Sequence, residues 1–132
     1  MGRVLVLVIV GALAIPVSIT ADVPFDAVHV LESCDVVFVG QVDRIETMPN
    51  ETVVAYLTVG ITWKGELEET VAVAAPYRTS ECGIDFGVGE AWLIFATDGY
   101  LYRYETDSCS HTERATDAIW KFQELDAVAK SR

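Results

Sequence analysis

The clearest pattern in the chain is an alternation of apolar and polar positions over residues 52–63. Val53, Ala55, Leu57, Val59 and Ile61 fall on one face, and Val54, Tyr56, Thr58, Gly60 and Thr62 on the other. A sustained period of two predicts a strand. Residues 36–42 read differently. Their start, Val36-Val37-Phe38-Val39, is continuously apolar, which predicts a strand covered on both faces. Gly40 inside that run predicts a bulge or sharp bend. A third strand is expected over residues 70–75, stopped by Pro76, and a fourth over 91–97. Asp98-Gly99 predicts a hairpin turn into a fifth strand over 100–105. Between these lie a turn at Met48-Pro49-Asn50-Glu51, an acidic connector at 66–69, and an irregular Gly- and Asp-rich stretch at 77–90.

Helical spacing occurs at both ends of this strand region. Phe25, Val28 and Leu31 recur at intervals of three, with Pro24 suited to a first turn and Asp26 to the positive end of the helix dipole. Near the other end Ala115, Ala118, Ile119, Phe122, Leu125 and Val128 keep helical spacing to about residue 129, with Thr112 or Thr116 as the expected cap. Strands and helices together predict a mostly β fold: a five-stranded OB-like Greek-key barrel with a short N-terminal helix and a C-terminal helix.

The first residues change the compartment. Arg3, an apolar run to Val17, and small residues ending at Ala21 have the layout of a secretory signal peptide over residues 1–21, leaving 22–132 as one domain. The apolar run falls short of the roughly 20 residues of a spanning helix. Cleavage is therefore favoured over retention as an anchor, with no stable membrane insertion and a secreted or cell-envelope location. The net charge of −11 becomes one unit more negative when Arg3 leaves. Such acidity repels phosphate, which argues against nucleic acid and anionic membranes as partners.

Few residues offer reaction chemistry. Three cysteines in an exported chain read as one disulfide and one free thiol. Three pairings are open, and the expected hairpin of strands four and five favours Cys82 with Cys109. His29 and His111 lack metal-ligand spacing and read as surface residues. Glu81, Asp85 and Glu90 lack the spacing of a calcium loop, and Ser80, Ser108 and Ser110 lack a nucleophile elbow. No cofactor or catalytic set is expected. Tyr100, Tyr102 and Tyr104 alternate, so a regular fifth strand would present them on one face as a candidate binding stripe.

A series of anchors appears in one order: Asp35-Val36-Val37-Phe38-Val39-Gly40, Trp63-Lys64-Gly65, Cys82-Gly83, Gly89-Glu90-Ala91-Trp92-Leu93-Ile94-Phe95-Ala96 and Cys109-Ser110. The order resembles the netrin-like OB-fold module of the tissue inhibitors of metalloproteinases, especially the shorter bacterial relatives, over about residues 30–125. In that family an N-terminal Cys-x-Cys bridges to a Cys-Gly and a Cys-Ser step. Cys82 and Cys109 match the receiving positions, and nothing here matches the donors. The resemblance thus implies a direct Cys82–Cys109 bond and leaves Cys34 free or paired with a second chain.

The family's inhibitors chelate zinc through the amine and carbonyl of their first cysteine. Here the expected mature N-terminus, Asp22-Val23-Pro24, has no covalent tether, so inhibition of a metalloproteinase is the weaker of two implied activities. The stronger is an exported, non-enzymatic protein-binding module. Its candidate contacts are Asp22, the loop residues Tyr77, Arg78, Ser80 and Glu81, and Tyr100, Tyr102 and Tyr104.

Overall fold

The computed structural model describes residues 24–131. The signal peptide expected over 1–21, and Asp22 among the candidate contacts, lie outside the described residues. The elements are α1 (Ala27–Ser33), β1 (Val36–Met48), β2 (Thr52–Lys64), β3 (Thr70–Pro76), β4 (Ala91–Asp98), β5 (Tyr104–Glu105), β6 (Glu113–Arg114) and α2 (Ile119–Ser131). Short 3-10 turns cover Ser108–Ser110 and Ala115–Asp117. The protein is mostly β, with a short helix at each end.

Strand order explains how the sheet closes. The sheet runs β1-β2-β3-β5-β4-β6, and β1 also pairs with β4, so β1, β2, β3, β5 and β4 form a ring. Every pairing is antiparallel except β3 with β5, which is parallel and covers only Val73↔Tyr104 and Ala74↔Glu105. The peptide N–H of Thr106 extends that seam by donating to the Ala74 carbonyl at 2.9 Å.

The continuous apolar runs follow from burial on two sides. Val36, Phe38 and Val42 of β1, with Trp92, Ile94 and Ala96 of β4, point into the ring. The intervening Val37, Leu93 and Phe95 face outward into a second cluster with Val30 and Leu31 of α1, Ala118, and Leu125 of α2. Over Val36–Phe38 and Trp92–Ala96 neither face meets water, which is why period two is invisible there. Gly40 sits where the β1–β2 register shifts. A Cβ at that position would lie 2.9 Å from the Leu57 Cβ, so the close strand crossing requires glycine.

Asp26 caps α1, its Oδ1 accepting from the backbone of Val28 at 3.1 Å and His29 at 3.2 Å. Lys64, at the end of β2, donates to the Leu31 carbonyl at 2.6 Å and closes the other end of that helix. Trp63 stacks on Phe122 and donates to Asp126 at 2.7 Å, fixing α2 across the end of β2.

Several expectations need correction. β1 extends six residues beyond Val42, because its second half forms a long ribbon with β2 out to Met48↔Thr52. The Asp98-Gly99 pair does not make a two-residue turn. Residues 99–103 form a longer loop, closed by Gly99 N–H donating to the Arg103 carbonyl at 3.1 Å. The fifth strand is therefore two residues long, and a sixth strand, β6, pairs with Trp92 and Leu93.

Between β5 and β6 the chain leaves the β4 ladder. Two threonine side chains take the vacated place. Thr112 Oγ1 accepts from the Phe95 N–H at 2.9 Å, Thr106 Oγ1 donates to the Phe95 carbonyl at 2.6 Å, and the two hydroxyls lie 2.6 Å apart. Thr112 is thus a buried ladder substitute and not a helix cap. Ile61, which alternation groups with Val53, Ala55 and Leu57, is exposed where β2 outruns β3.

Candidate functional site

A cleft of about 660 Å³ opens between the β1–β2 turn and the loop joining β4 to β5. Asn50, Glu51 and Thr52 line it from the turn, and Leu101 and Tyr102 from the loop. The floor includes Ala74 and Ala75 of β3 and Phe95 of β4. Glu105, Thr106, Asp107 and Ser110 complete it along the β5 side.

Local backbone geometry builds each wall. Asn50 and Glu51 both adopt left-handed conformations, φ 64° and 55°, which fold the ribbon back tightly. Glu51 then receives the Tyr77 N–H on its carbonyl at 2.8 Å and the Ser80 hydroxyl on its carboxylate at 3.2 Å. The segment after β3 turns twice, through Ser80 N–H to the Tyr77 carbonyl and Gly83 N–H to the Ser80 carbonyl. A side chain on Gly83 would collide with the Tyr77 carbonyl.

Cys82 bonds to Cys109 across a Cα separation of 5.2 Å, and Ser108 N–H donates to the Cys82 carbonyl at 3.0 Å. This disulfide joins the loop carrying Ser80 to the loop carrying Asp107 and Ser110. By loop entropy a bridge spanning 27 positions stabilises the fold by about 3 kcal/mol.

The structure brings together only part of the candidate set. Ser80 and Tyr102 line the cleft. Tyr77 is half-buried, packs against the ring core, and carries the Arg78 guanidinium over its ring at 5.0 Å. Arg78 and Glu81 are exposed outside the cleft. The tyrosine stripe does not form, because residues 100–103 are not a strand. Tyr100 is 97% exposed, Tyr102 is half-buried, and Tyr104 lies inside the ring. Alternation in sequence becomes a shared face only where a ladder holds the backbone extended, and that loop has none.

The cleft residues that sequence reasoning missed are acidic. Glu51 comes from the β1–β2 turn and Glu105 and Asp107 from the end of β5, and no lysine, arginine or histidine lines the same space. The ion pairs formed among the described residues, Arg44–Glu46, Arg114–Glu90 and Lys121–Glu113, use other carboxylates. Asp107 accepts only a neutral donor, the Ser110 hydroxyl at 2.8 Å.

Cys34 reaches the same cleft from the end of α1. It is free and buried. Burial pushes its thiol pKa up, against a hydrogen bond to Ser33 and the charge of Lys64, which pull it down. A thiol held protonated is a weak nucleophile. Among the described residues the one group of three metal-ligating types is Cys82, Asp107 and Cys109, within 4.8 Å of one another. Both sulfurs are spent in the disulfide, so no thiolate ligand remains there.

Under the helices, beyond Phe95, Lys121 is almost fully buried. Its ammonium pairs with Glu113, donates to the His111 carbonyl at 3.2 Å, and lies over the Phe25 ring at 5.1 Å. His111, expected at the surface, is instead half-buried. A left-handed φ of 73° turns its ring against Phe25, with centroids 5.4 Å apart. Burial lowers its pKa, and the neighbouring Lys121 lowers it further, with Glu113 opposing. His29 is exposed, as expected.

No described helix is long and apolar enough to cross a membrane. That and the disulfide are compatible with an extracytoplasmic location. No family model matches the chain, and no curated protein matches it.

Proposed function

We propose that this chain is an exported, non-enzymatic protein-binding module built on an OB-like Greek-key barrel of the netrin-like type. The observation that carries this reading is the position of the cleft. OB-folds bind ligands with the face of strands two and three and the loops joining strands one to two and four to five, and here those two loops line the same cleft. The ring order β1-β2-β3-β5-β4, closed by β1 with β4, supports the same reading. So does the pairing of Cys82 with Cys109, the two positions that the family resemblance singles out.

The chemistry of the cleft favours binding over catalysis. Its thiol is held protonated by burial, and the Ser80 and Ser110 hydroxyls donate to carboxylates, with no imidazole lining the cleft to activate them. Leu101, which lines the cleft and is 73% exposed, has the character of a contact residue, and its chain neighbour Tyr100 is 97% exposed. Nucleic acid is disfavoured by the acidic lining.

Selection of a displayed random-peptide library on the exported protein tests the reading. Peptides should be enriched, and they should lose binding to Tyr102→Ala while retaining it to Arg78→Ala, outside the cleft. No enrichment, or enriched peptides indifferent to Tyr102→Ala, would remove the proposal.

A further inference from the structure

The cleft carries a charge arrangement that identifies the kind of segment it takes. We infer that it captures a basic, extended peptide segment of a partner protein, whose lysine or arginine side chains meet Glu51, Glu105 and Asp107. Apolar residues between those cations rest against Leu101 and Tyr102. This inference rests on the protein-binding reading above and specifies its partner.

Three observations lead there. First, the carboxylates are unneutralised: no basic side chain borders the cleft, and the ion pairs among the described residues do not involve them. Glu51 and Asp107 each accept one hydroxyl, from Ser80 and Ser110. A carboxylate has about four acceptor positions, so most of that capacity is left unused by these hydroxyls. Second, the three groups do not converge. Among the described residues the sole set of three metal-ligating types within 4.8 Å is Cys82, Asp107 and Cys109. One small cation could not engage all three carboxylates, whereas cations spaced along a peptide could. Third, the lining is mixed: Ala74, Ala75, Pro76, Phe95 and Leu101 give it apolar surface beside uncharged polar residues such as Asn50, Thr52 and Thr97. A desolvated floor strengthens charge pairing at its edge, and the chain's net charge of −11 steers a basic partner inward from a distance.

The probes are a fluorescein-labelled peptide alternating Lys with Leu and Ala, and its counterpart with Gln for every Lys, followed by fluorescence anisotropy. The Lys peptide should bind and the Gln peptide should not, with affinity falling as salt rises from about 50 to about 300 mM. The triple variant Glu51→Gln, Glu105→Gln, Asp107→Asn keeps side-chain shape and hydrogen-bond acceptors, and should bind the Lys peptide roughly tenfold more weakly. Neutralising Glu66, Glu68 and Glu69 to Gln in the exposed connector removes the same charge elsewhere and should leave affinity within about twofold.

Equal weakening by both triple variants would mean attraction to bulk charge and would overturn the inference. If the Lys peptide fails to bind while library selection yields neutral or acidic peptides that need Tyr102, the basic-segment inference falls and the protein-binding reading stands. If selection yields no peptide of any composition, both fall.

Discussion

Two neighbouring regions of the molecule treat charge in opposite ways. Under the helices, Lys121 is buried with Glu113, a carbonyl and two aromatic rings around it. The cleft, which shares Phe95 and Cys34 with the helix-side cluster, holds Glu51, Glu105 and Asp107 with no cation among the residues that line it. Buried charge is tolerated only when paired, so the first arrangement is what holding two helices on a sheet demands. The second contributes nothing comparable to folding. Unpaired acids around an apolar floor raise local repulsion, which a cationic ligand would relieve. Paired charge marks the region that holds the fold together, and unpaired charge marks the region left open.

The largest test breaks the open region without touching its charges. Replacing Cys82 and Cys109 with Ser should lower the unfolding free energy in urea by about 3 kcal/mol. Next comes the closed region. Lys121→Ala strands Glu113, and because Glu113 is one-third exposed the cost should be about 2–3 kcal/mol, below that of a fully buried pair. Lys121→Met keeps the aliphatic stem near Phe25 and Trp120 and should cost clearly less by the same denaturation measurement. A Met variant as unstable as the Ala variant would show that the charge itself carries the contact.

A smaller effect separates the regions by pH. The folded His111 has a pKa below its ordinary 6.5, so the unfolded chain takes up the proton first as pH falls. The stability it contributes is complete above pH 6.5 and is lost as pH drops through the lower folded value. His111→Asn, which tolerates the left-handed backbone, should flatten that part of a stability profile, while Glu105→Gln should leave it unchanged. The smallest effect is the most telling. Glu105→Gln should shift stability by no more than about 0.5 kcal/mol in either direction. A loss near that of Lys121→Ala would mean that the cleft acids are structural.

Much of the fold was legible because burial leaves a period in the sequence. Val53, Ala55 and Leu57 alternate inward, and the unbroken Val36-Val37-Phe38-Val39 run reports helices on one side and the ring interior on the other. The failures share a cause. Tyr100, Tyr102 and Tyr104 alternate without a ladder, so their pattern carries no structural meaning. β6 is two residues long and owes its existence to Trp92 and Leu93, its partners far away in sequence. His111 looks like a surface residue until one left-handed φ angle turns it inward. The cleft was the least legible part. Its acids lie at positions 51, 105 and 107, and only ring closure brings Glu51 to the same cleft as the other two.

The threonine pair beside Phe95 has a consequence for how this chain can vary. Thr106 and Thr112 seal the ladder from both borders of the excursion between them. Sheet closure is thereby independent of how many residues the excursion contains. That stretch behaves like a socket: its contents can be lengthened or exchanged around the cystine while the ring beneath stays shut, so new specificity can be fitted without redesigning the frame.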